Sequence, residues 1–125
     1  MHGPALSIEG RVRTLHNGSY EETERRHGGG RLFNQGLTAV VDVHGKGLLV
    51  LNSIRSSPNS IHQITCVGIQ PSQQKILVAK GAVAPRAAYE PVCARLIEVA
   101  SGGATAIFRL PKDYAWARKT LYEWQ

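Results

Sequence analysis

The amino-acid sequence predicts an α+β fold, with a mostly antiparallel sheet built from hairpins and one or two short helices. Two patterns predict the sheet: an early segment in which apolar and polar residues alternate, and two apolar runs joined by turn glycines. A proline that opens an alanine-rich segment predicts a helix. The length of 125 residues suits a single domain, residues 1–125.

The first predicted strand covers residues 6–15, where apolar and polar side chains alternate. Gly10 interrupts the alternation and predicts a β-bulge. Asn17 and Gly18 follow the strand, and this dipeptide is a strong signal for a two-residue hairpin. Residues 21–36 are polar and glycine-rich, which is typical of an exposed loop. Their glycines lack the strand–loop–helix context and the lysine-serine ending of a P-loop.

Residues 37–54 carry the clearest local motif, in which two apolar, β-rich runs flank the turn "HGKG". Both runs have apolar residues on both faces, which predicts central strands that are covered on both sides.

The second half of the chain alternates predicted strands and short helices. A helix is predicted around residues 61–66, and the apolar runs "KILVAK" and "RLIEVA" predict strands at 75–80 and 95–100. Between them, Pro85 predicts the start of a second helix, and Pro91 predicts its kink or end. The aromatic, basic end of the chain is expected to pack onto the domain or onto a neighbour through Trp116, Tyr122 and Trp124.

Charge and composition exclude several classes of function. The net charge of +6 is compatible with an anionic partner, but the basic residues are scattered and no basic block is interleaved with aromatic residues. This pattern argues against nucleic-acid binding and favours contact with an acidic protein surface. No apolar run approaches the roughly 20 residues that span a bilayer. With no signal-peptide pattern at the start, the sequence predicts no membrane association and a cytoplasmic location.

The residues that could carry catalysis or bind a metal form no recognisable motif. The five histidines make none of the zinc-binding spacings, and the D-x-H pair of Asp42 and His44 enters a predicted turn. Cys66 and Cys93 lie among apolar neighbours, outside any C-x-x-C motif, which predicts reduced, half-buried thiols. The sequence therefore predicts no catalytic residue, no metal site and no cofactor in this chain.

The strongest candidate for a binding site is the turn between the strand at 75–80 and the second helix. Lys80, Gly81 and Arg86 place two cations beside the free N–H groups of a helix start, a geometry that suits an anion or a substrate carboxylate. The alternative interpretation is that Gly81 only makes the turn, Pro85 only starts the helix, and both cations extend into solvent.

Three segments, in order along the chain, resemble the C-terminal region of the microcystinase C (MlrC) family of metallopeptidases. "HGPALSIEGRVRTLHNGSY" resembles the family's H-G-x-P-L segment, and "GLTAVVDVHGKGLLVLNSIRSSP" resembles its hairpin. "GIQPSQQKILVAKGAVAPRAAYEPVCARLIEVASGGAT" resembles the family's strand–turn–helix and exit strand. The residues that fall on that last pattern are Lys80, Arg86, Ala87, Ala88, Tyr89, Pro91, Ile97, Val99, Gly103 and Thr105.

The chain also departs from this family. Where many members have a histidine two residues before the arginine, this chain has Ala84, and its "WARKTLYEWQ" end lacks the family's prolines. Family members are several times longer, and their metal-binding residues lie in a large N-terminal domain. No catalytic or metal-binding residue is therefore carried over, and zinc is implied only for full-length relatives.

The resemblance predicts a C-terminal accessory or structural domain that is inactive alone. Its expected partners are an N-terminal catalytic domain supplied in trans or a second copy of the chain. Two alternatives stay open: a free-standing basic module that binds an anionic ligand or partner, and an enzyme whose site is built from loop histidines.

Overall fold

A computed structural model describes residues 5–24, 29–81 and 83–99 of the chain, and it confirms the α+β class. Antiparallel strands form two small sheets, and short helices follow them in the sequence. The strands are β1 (Arg11–His16), β2 (Ser19–Glu21), β3 (Leu32–Asn34), β4 (Thr38–Asp42) and β5 (Leu48–Asn52). The helices are α1 (His62–Thr65) and α2 (Ala84–Tyr89), with 3-10 turns at Pro71–Gln73 and Glu90–Val92.

The hairpin predicted at residues 37–54 is confirmed as β4 and β5, which pair antiparallel. His44 and Gly45 make the turn with positive φ angles of 53° and 69°. The carboxylate of Asp42 accepts a hydrogen bond from the Gly45 N–H at 2.7 Å, so this aspartate stabilises the turn. β4 is the central strand of the order β1-β4-β5, as predicted, whereas β5 lies at the edge of this sheet.

β1 pairs with β4, and the irregularity predicted at Gly10 lies three residues later, between Val12 and Thr14. Gly10 is needed for a different reason. A Cβ atom at this position would stand 2.6 Å from the carbonyl oxygen of Asp42, so the two backbones approach too closely for any side chain.

The hairpin predicted at Asn17 and Gly18 is wrong, because β1 and β2 belong to different sheets. Local hydrogen bonds redirect the chain here. The Gly18 N–H donates to His16 Nδ1, and the Ser19 N–H donates to Asn17 Oδ1, each at 3.0 Å. β2 instead pairs with β3, and the rings of Tyr20 and Phe33 stack with centroids 5.4 Å apart. Part of the predicted glycine-rich loop is therefore a strand.

The core lies against one face of the β1-β4-β5 sheet. Val40 in β4 packs with Val67 and Ile69, which follow α1 in the chain. Half-buried apolar side chains from β5 and from α1 and its C-cap complete the cluster: Leu48, Val50, Ile64 and Cys66. α1 falls inside the segment where a helix was predicted, and the Ser60 hydroxyl accepts the His62 N–H at 3.0 Å.

The second predicted helix is confirmed: α2 starts at Ala84 with Pro85 in its first turn, and it ends before Pro91. The strand predictions at 75–80 and 95–100 are wrong for the part of the chain that the structure describes. Residues 75–80 and 95–99 carry the β-prone sequence, but no strand among the described residues pairs with them. Residue 100 and the aromatic end of the chain lie outside the described residues.

Candidate functional site

The candidate turn begins at Lys80 and Gly81, where the backbone meets the start of α2. A Cβ atom at Gly81 would lie 2.7 Å from Pro85 Cγ and 3.5 Å from Pro58 Cγ. A side chain at this position would therefore have to push the proline ring aside, which explains the glycine. Lys80 is exposed and forms no ion pair with another described residue.

Arg86 extends from α2 between two carboxylates. Its Nε lies 3.3 Å from Glu90 Oε2, and its Nη1 lies 3.2 Å from Glu98 Oε1. The structure thus brings Arg86 together with two glutamates, one on α2's C-terminal side and one 12 residues away in the chain. An anion at this turn would compete with both for the guanidinium. The binding role of Lys80, Gly81 and Arg86 stays a prediction.

A second feature, missed from the sequence, is a polar cleft of about 270 Å³ between the β2-β3 sheet and the segment before α1. It contains the stacked aromatic pair, one carboxylate, and several hydroxyl and amide groups. Its lining residues are Tyr20, Glu22, Phe33, Asn34, Ser56, Ser57, Asn59 and Ser60. Since the two walls are more than 20 residues apart in the chain, no local pattern indicates the cleft.

The carboxylate of this cleft belongs to Glu22, which is almost completely buried. Glu22 Oε1 accepts the Glu24 N–H at 2.9 Å and lies 3.8 Å from His62 Nε2. Burial raises the pKa of the Tyr20 hydroxyl, and the nearby charge of Glu22 raises it further. The Tyr20 hydroxyl is therefore a hydrogen-bond donor, not a base, at neutral pH. The only signal in the sequence is that Tyr20 and Glu22 are two residues apart, a spacing that puts side chains on one side of an extended chain.

The described residues do not provide a zinc site. Within residues 5–24, 29–81 and 83–99, no group of three or more histidine, cysteine, aspartate or glutamate side chains could hold a metal ion. Asp42 and His44 lie at the β4-β5 turn, where Asp42 already accepts the Gly45 N–H. Over the same ranges, no helix is long and apolar enough to cross a bilayer.

Both cysteines are free thiols and half-buried, as predicted. Burial raises the pKa of the Cys66 thiol, although the local backbone lowers it slightly. The thiol lies in the core cluster and points its Sγ toward the carbonyl oxygen of Gln63, at 3.5 Å. A raised pKa makes a thiol a poorer nucleophile near neutral pH, and the Cys66 side chain packs against the core cluster.

The face of the β1-β4-β5 sheet opposite the core is apolar, with Ala39, Val41 and Leu49 half-buried at its centre and more exposed side chains around them. The strand register places two cross-strand rows on this face, one through Leu15, Ala39 and Leu51 and one through Val41. The irregularity in β1 changes the side-chain alternation, so that Val12 and Leu15 share this face although they are three residues apart. We call this surface the outer face; its residues are Val12, Leu15, Ala39, Val41, Leu49 and Leu51.

The outer face is strongly exposed at its margins: Leu15 is 76% exposed, Val12 54% and Leu51 53%. Monomeric proteins rarely leave a contiguous apolar surface of this kind open to water, and a large one marks an interaction site. Among the described residues, the core cluster covers β4 on one face, whereas on the other face Val12, Leu15 and Leu51 stay exposed around half-buried Ala39 and Val41.

Comparison with known proteins points to one family. The family model described as "MlrC C-terminus" matches residues 1–110 of the 125-residue chain. No curated protein and no solved structure gives a significant match.

Proposed function

Since this chain belongs to the MlrC C-terminus family, we propose that it is the C-terminal accessory domain of an MlrC-like zinc metallopeptidase. In this proposal it supports peptide or amide hydrolysis that takes place on a separate metal-binding domain. That domain belongs to the same polypeptide or is supplied in trans.

The outer face is the observation that carries the proposal. β4 is the middle strand of its sheet and has apolar side chains on both faces, a pattern that belongs to strands covered on both sides. One layer of cover comes from the α1 region. The apolar side chains of the opposite face need a second layer, and a metal-binding domain that packs there would supply it.

The zinc in this proposal belongs to the partner domain, because the described residues offer no ligand group for it. The chain alone is therefore expected to be inactive. Its contribution to catalysis would be structural, through the outer face, and electrostatic, through the Lys80–Gly81–Arg86 turn.

For the turn we propose contact with a substrate carboxylate once both domains are together. The Arg86 guanidinium would then contact the substrate as well as Glu90 and Glu98. Lys80 forms no ion pair with another described residue, so it would not have to break one. Replacing Arg86 by alanine in a full-length relative should raise the Michaelis constant, and unchanged kinetics would remove the turn from the proposal.

The alternative function, a free-standing basic module for an anionic ligand, is supported by Lys80 and by the net charge of +6. It predicts that the chain binds anionic ligands as a stable monomer and that Lys80→Ala weakens this binding. If the chain is an accessory domain, we expect instead that it associates with another protein through the outer face.

The test is reconstitution. The purified chain and the metal-binding domain of an MlrC-like protein are assayed for peptide hydrolysis separately and mixed, and the zinc content of each is measured after dialysis. We expect the chain alone to hold no zinc and to hydrolyse nothing, and the mixture to hydrolyse peptide at least tenfold faster than the metal-binding domain alone. Zinc retained by the chain alone, or a mixture no faster than its parts, would contradict the proposal.

A further inference from the structure

Residues 76–80 follow a bend at Lys75 and show the side-chain alternation of a strand, although no described residue pairs with them. The chain enters them through Gln74 in extended conformation, with φ −99° and ψ 133°. From Ile76 to Lys80 the side chains alternate between exposed and half-buried, which is the period of two that a strand produces. Ile76 is 81% exposed and Val78 94%, so one side of the segment faces solvent.

The backbone of this segment is unpaired. From Lys75 to Gly81, no N–H or carbonyl group makes a backbone hydrogen bond to another described residue. Backbone groups are strong donors and acceptors, and a row of them along an extended, β-prone segment is a template for another strand. Peptide-binding domains use such an edge to add a strand from a partner.

Charge decides which strand fits. Lys75 and Lys80 stand at the two ends of the apolar stretch "ILVA". Suppose that residues 75–80 of two copies paired antiparallel with their centres aligned. Lys75 of each copy would then lie opposite Lys80 of the other, so each end of the pair would hold two lysines. Like charges directly opposite each other destabilise a strand pair, whereas opposite charges stabilise it. The lysines therefore disfavour self-pairing and favour an acidic partner.

We propose that residues 75–80 form an edge strand that accepts an extended polypeptide segment with an apolar middle and a carboxylate opposite each lysine. The inference rests on the proposed function in one respect, since the expected source of that segment is the metal-binding domain. The strand would then be a second point of attachment, separate from the outer face. Its pairing would engage Lys80 and leave Arg86 to contact the substrate carboxylate.

The first experiment tests the edge without the partner domain. The probe is a blocked six-residue peptide with glutamate at both ends and valine and threonine between, and its twin carries lysine at both ends. The full chain, labelled with ¹⁵N, is titrated with each peptide and followed by NMR. We expect saturable shifts at residues 75–80 with the glutamate peptide, and binding about 3- to 30-fold weaker with the lysine peptide. Equal binding, or shifts elsewhere only, would overturn the inference.

N-methylation of the probe distinguishes strand addition from charge attraction. In a strand pair, alternate N–H groups of the peptide face the partner strand. Two glutamate peptides are therefore compared, methylated at the odd or at the even backbone nitrogens. Strand addition predicts that only one of the two loses binding. Equal affinity for both peptides would show a purely electrostatic contact and refute the edge strand.

Variants of the chain provide the matched controls. In the double variant Lys75→Glu and Lys80→Glu, preference should reverse toward the lysine peptide, and an unchanged preference would refute the charge argument. Val78→Pro should weaken binding at least tenfold because the ring disrupts strand geometry. The same change at Val99, which is 77% exposed in the other unpaired segment, should leave binding unchanged. An equal loss in both would contradict the assignment to 75–80.

Mixing with the metal-binding domain separates this inference from the proposed function. If the domain binds the wild-type chain and the Val78→Pro variant equally well, the edge strand is refuted while the accessory role stands. If the acidic peptide binds as predicted but the domain does not, the accessory role fails and the edge strand stands.

Discussion

Truncating Val40 tests whether the core lies on the face of the sheet assigned to it. Val40 is 1% exposed and packs with Val67 and Ile69. Its change to alanine removes two buried methyl groups, at about 0.8 kcal/mol each, or about 1.6 kcal/mol. A residual cavity of roughly 40 Å³ adds about 1 kcal/mol at about 24 cal/mol per Å³. We expect the free energy of unfolding to fall by about 2–3 kcal/mol.

The matched control is Val12→Ala, the same chemical change in a neighbouring strand but on the outer face. Val12 is 54% exposed, so its loss should cost less than about 1 kcal/mol, most of it β-propensity. The assay is urea denaturation followed by circular dichroism. The free energy of unfolding of a small domain falls by about 1–2 kcal/mol per M urea, so the Val40 variant should unfold at a urea midpoint about 1–3 M lower than the wild type. Equal losses for the two variants would refute the assignment of core and outer face.

Three further predictions concern the turn, a buried polar contact and a thiol. Gly45→Ala should destabilise the chain by about 1 kcal/mol, because φ is 69° there; Gly47, also in open space but without a positive φ, should tolerate alanine. Gln35→Leu should cost about 2–4 kcal/mol in thermal or urea unfolding, since buried Gln35 donates to the Gln63 carbonyl at 3.0 Å and accepts from Asn52 at 3.1 Å. Because the folded state raises the pKa of Cys66, this thiol should react with a disulfide reagent more slowly than free cysteine at pH 8. The stability that the protonated Cys66 thiol contributes is complete below about pH 8.5 and is lost as pH rises toward the folded-state pKa. A urea unfolding midpoint that rises in alkaline buffer would therefore contradict the raised pKa of Cys66.

The elements that the sequence predicts correctly are those whose signal is local. The β4-β5 hairpin follows from turn glycines between two apolar runs, and α2 follows from Pro85 at its start and Pro91 after its end. The Asn17–Gly18 turn has an equally local signal, yet the side chains of His16 and Asn17 accept backbone N–H groups there and the chain continues into another sheet. The Asn-Gly dipeptide indicates a turn, but it does not specify which strands pair on either side of that turn.

The errors at 75–80 and 95–100 have a different cause. The sequences are β-prone, but a strand exists only with a hydrogen-bonded neighbour, and none lies there among the residues that the structure describes. The candidate site was predictable to the same limited extent. Pro85 starts α2 as predicted, and Gly81 lies close against its ring, whereas the contact of Arg86 with Glu98, 12 residues away, has no local signal. The polar cleft and the outer face depend on strand pairing, which periodicity alone cannot supply.

The most direct test of the accessory role is the association of the chain with a metal-binding domain of the family, measured by sedimentation velocity. We expect a one-to-one complex that Leu15→Asp disrupts, because a carboxylate on the outer face would be buried without a partner. Leu32→Asp is the matched control, since Leu32 is 81% exposed on the other sheet, and its complex should persist. No complex with the wild-type chain, or equal disruption by the two variants, would contradict the account.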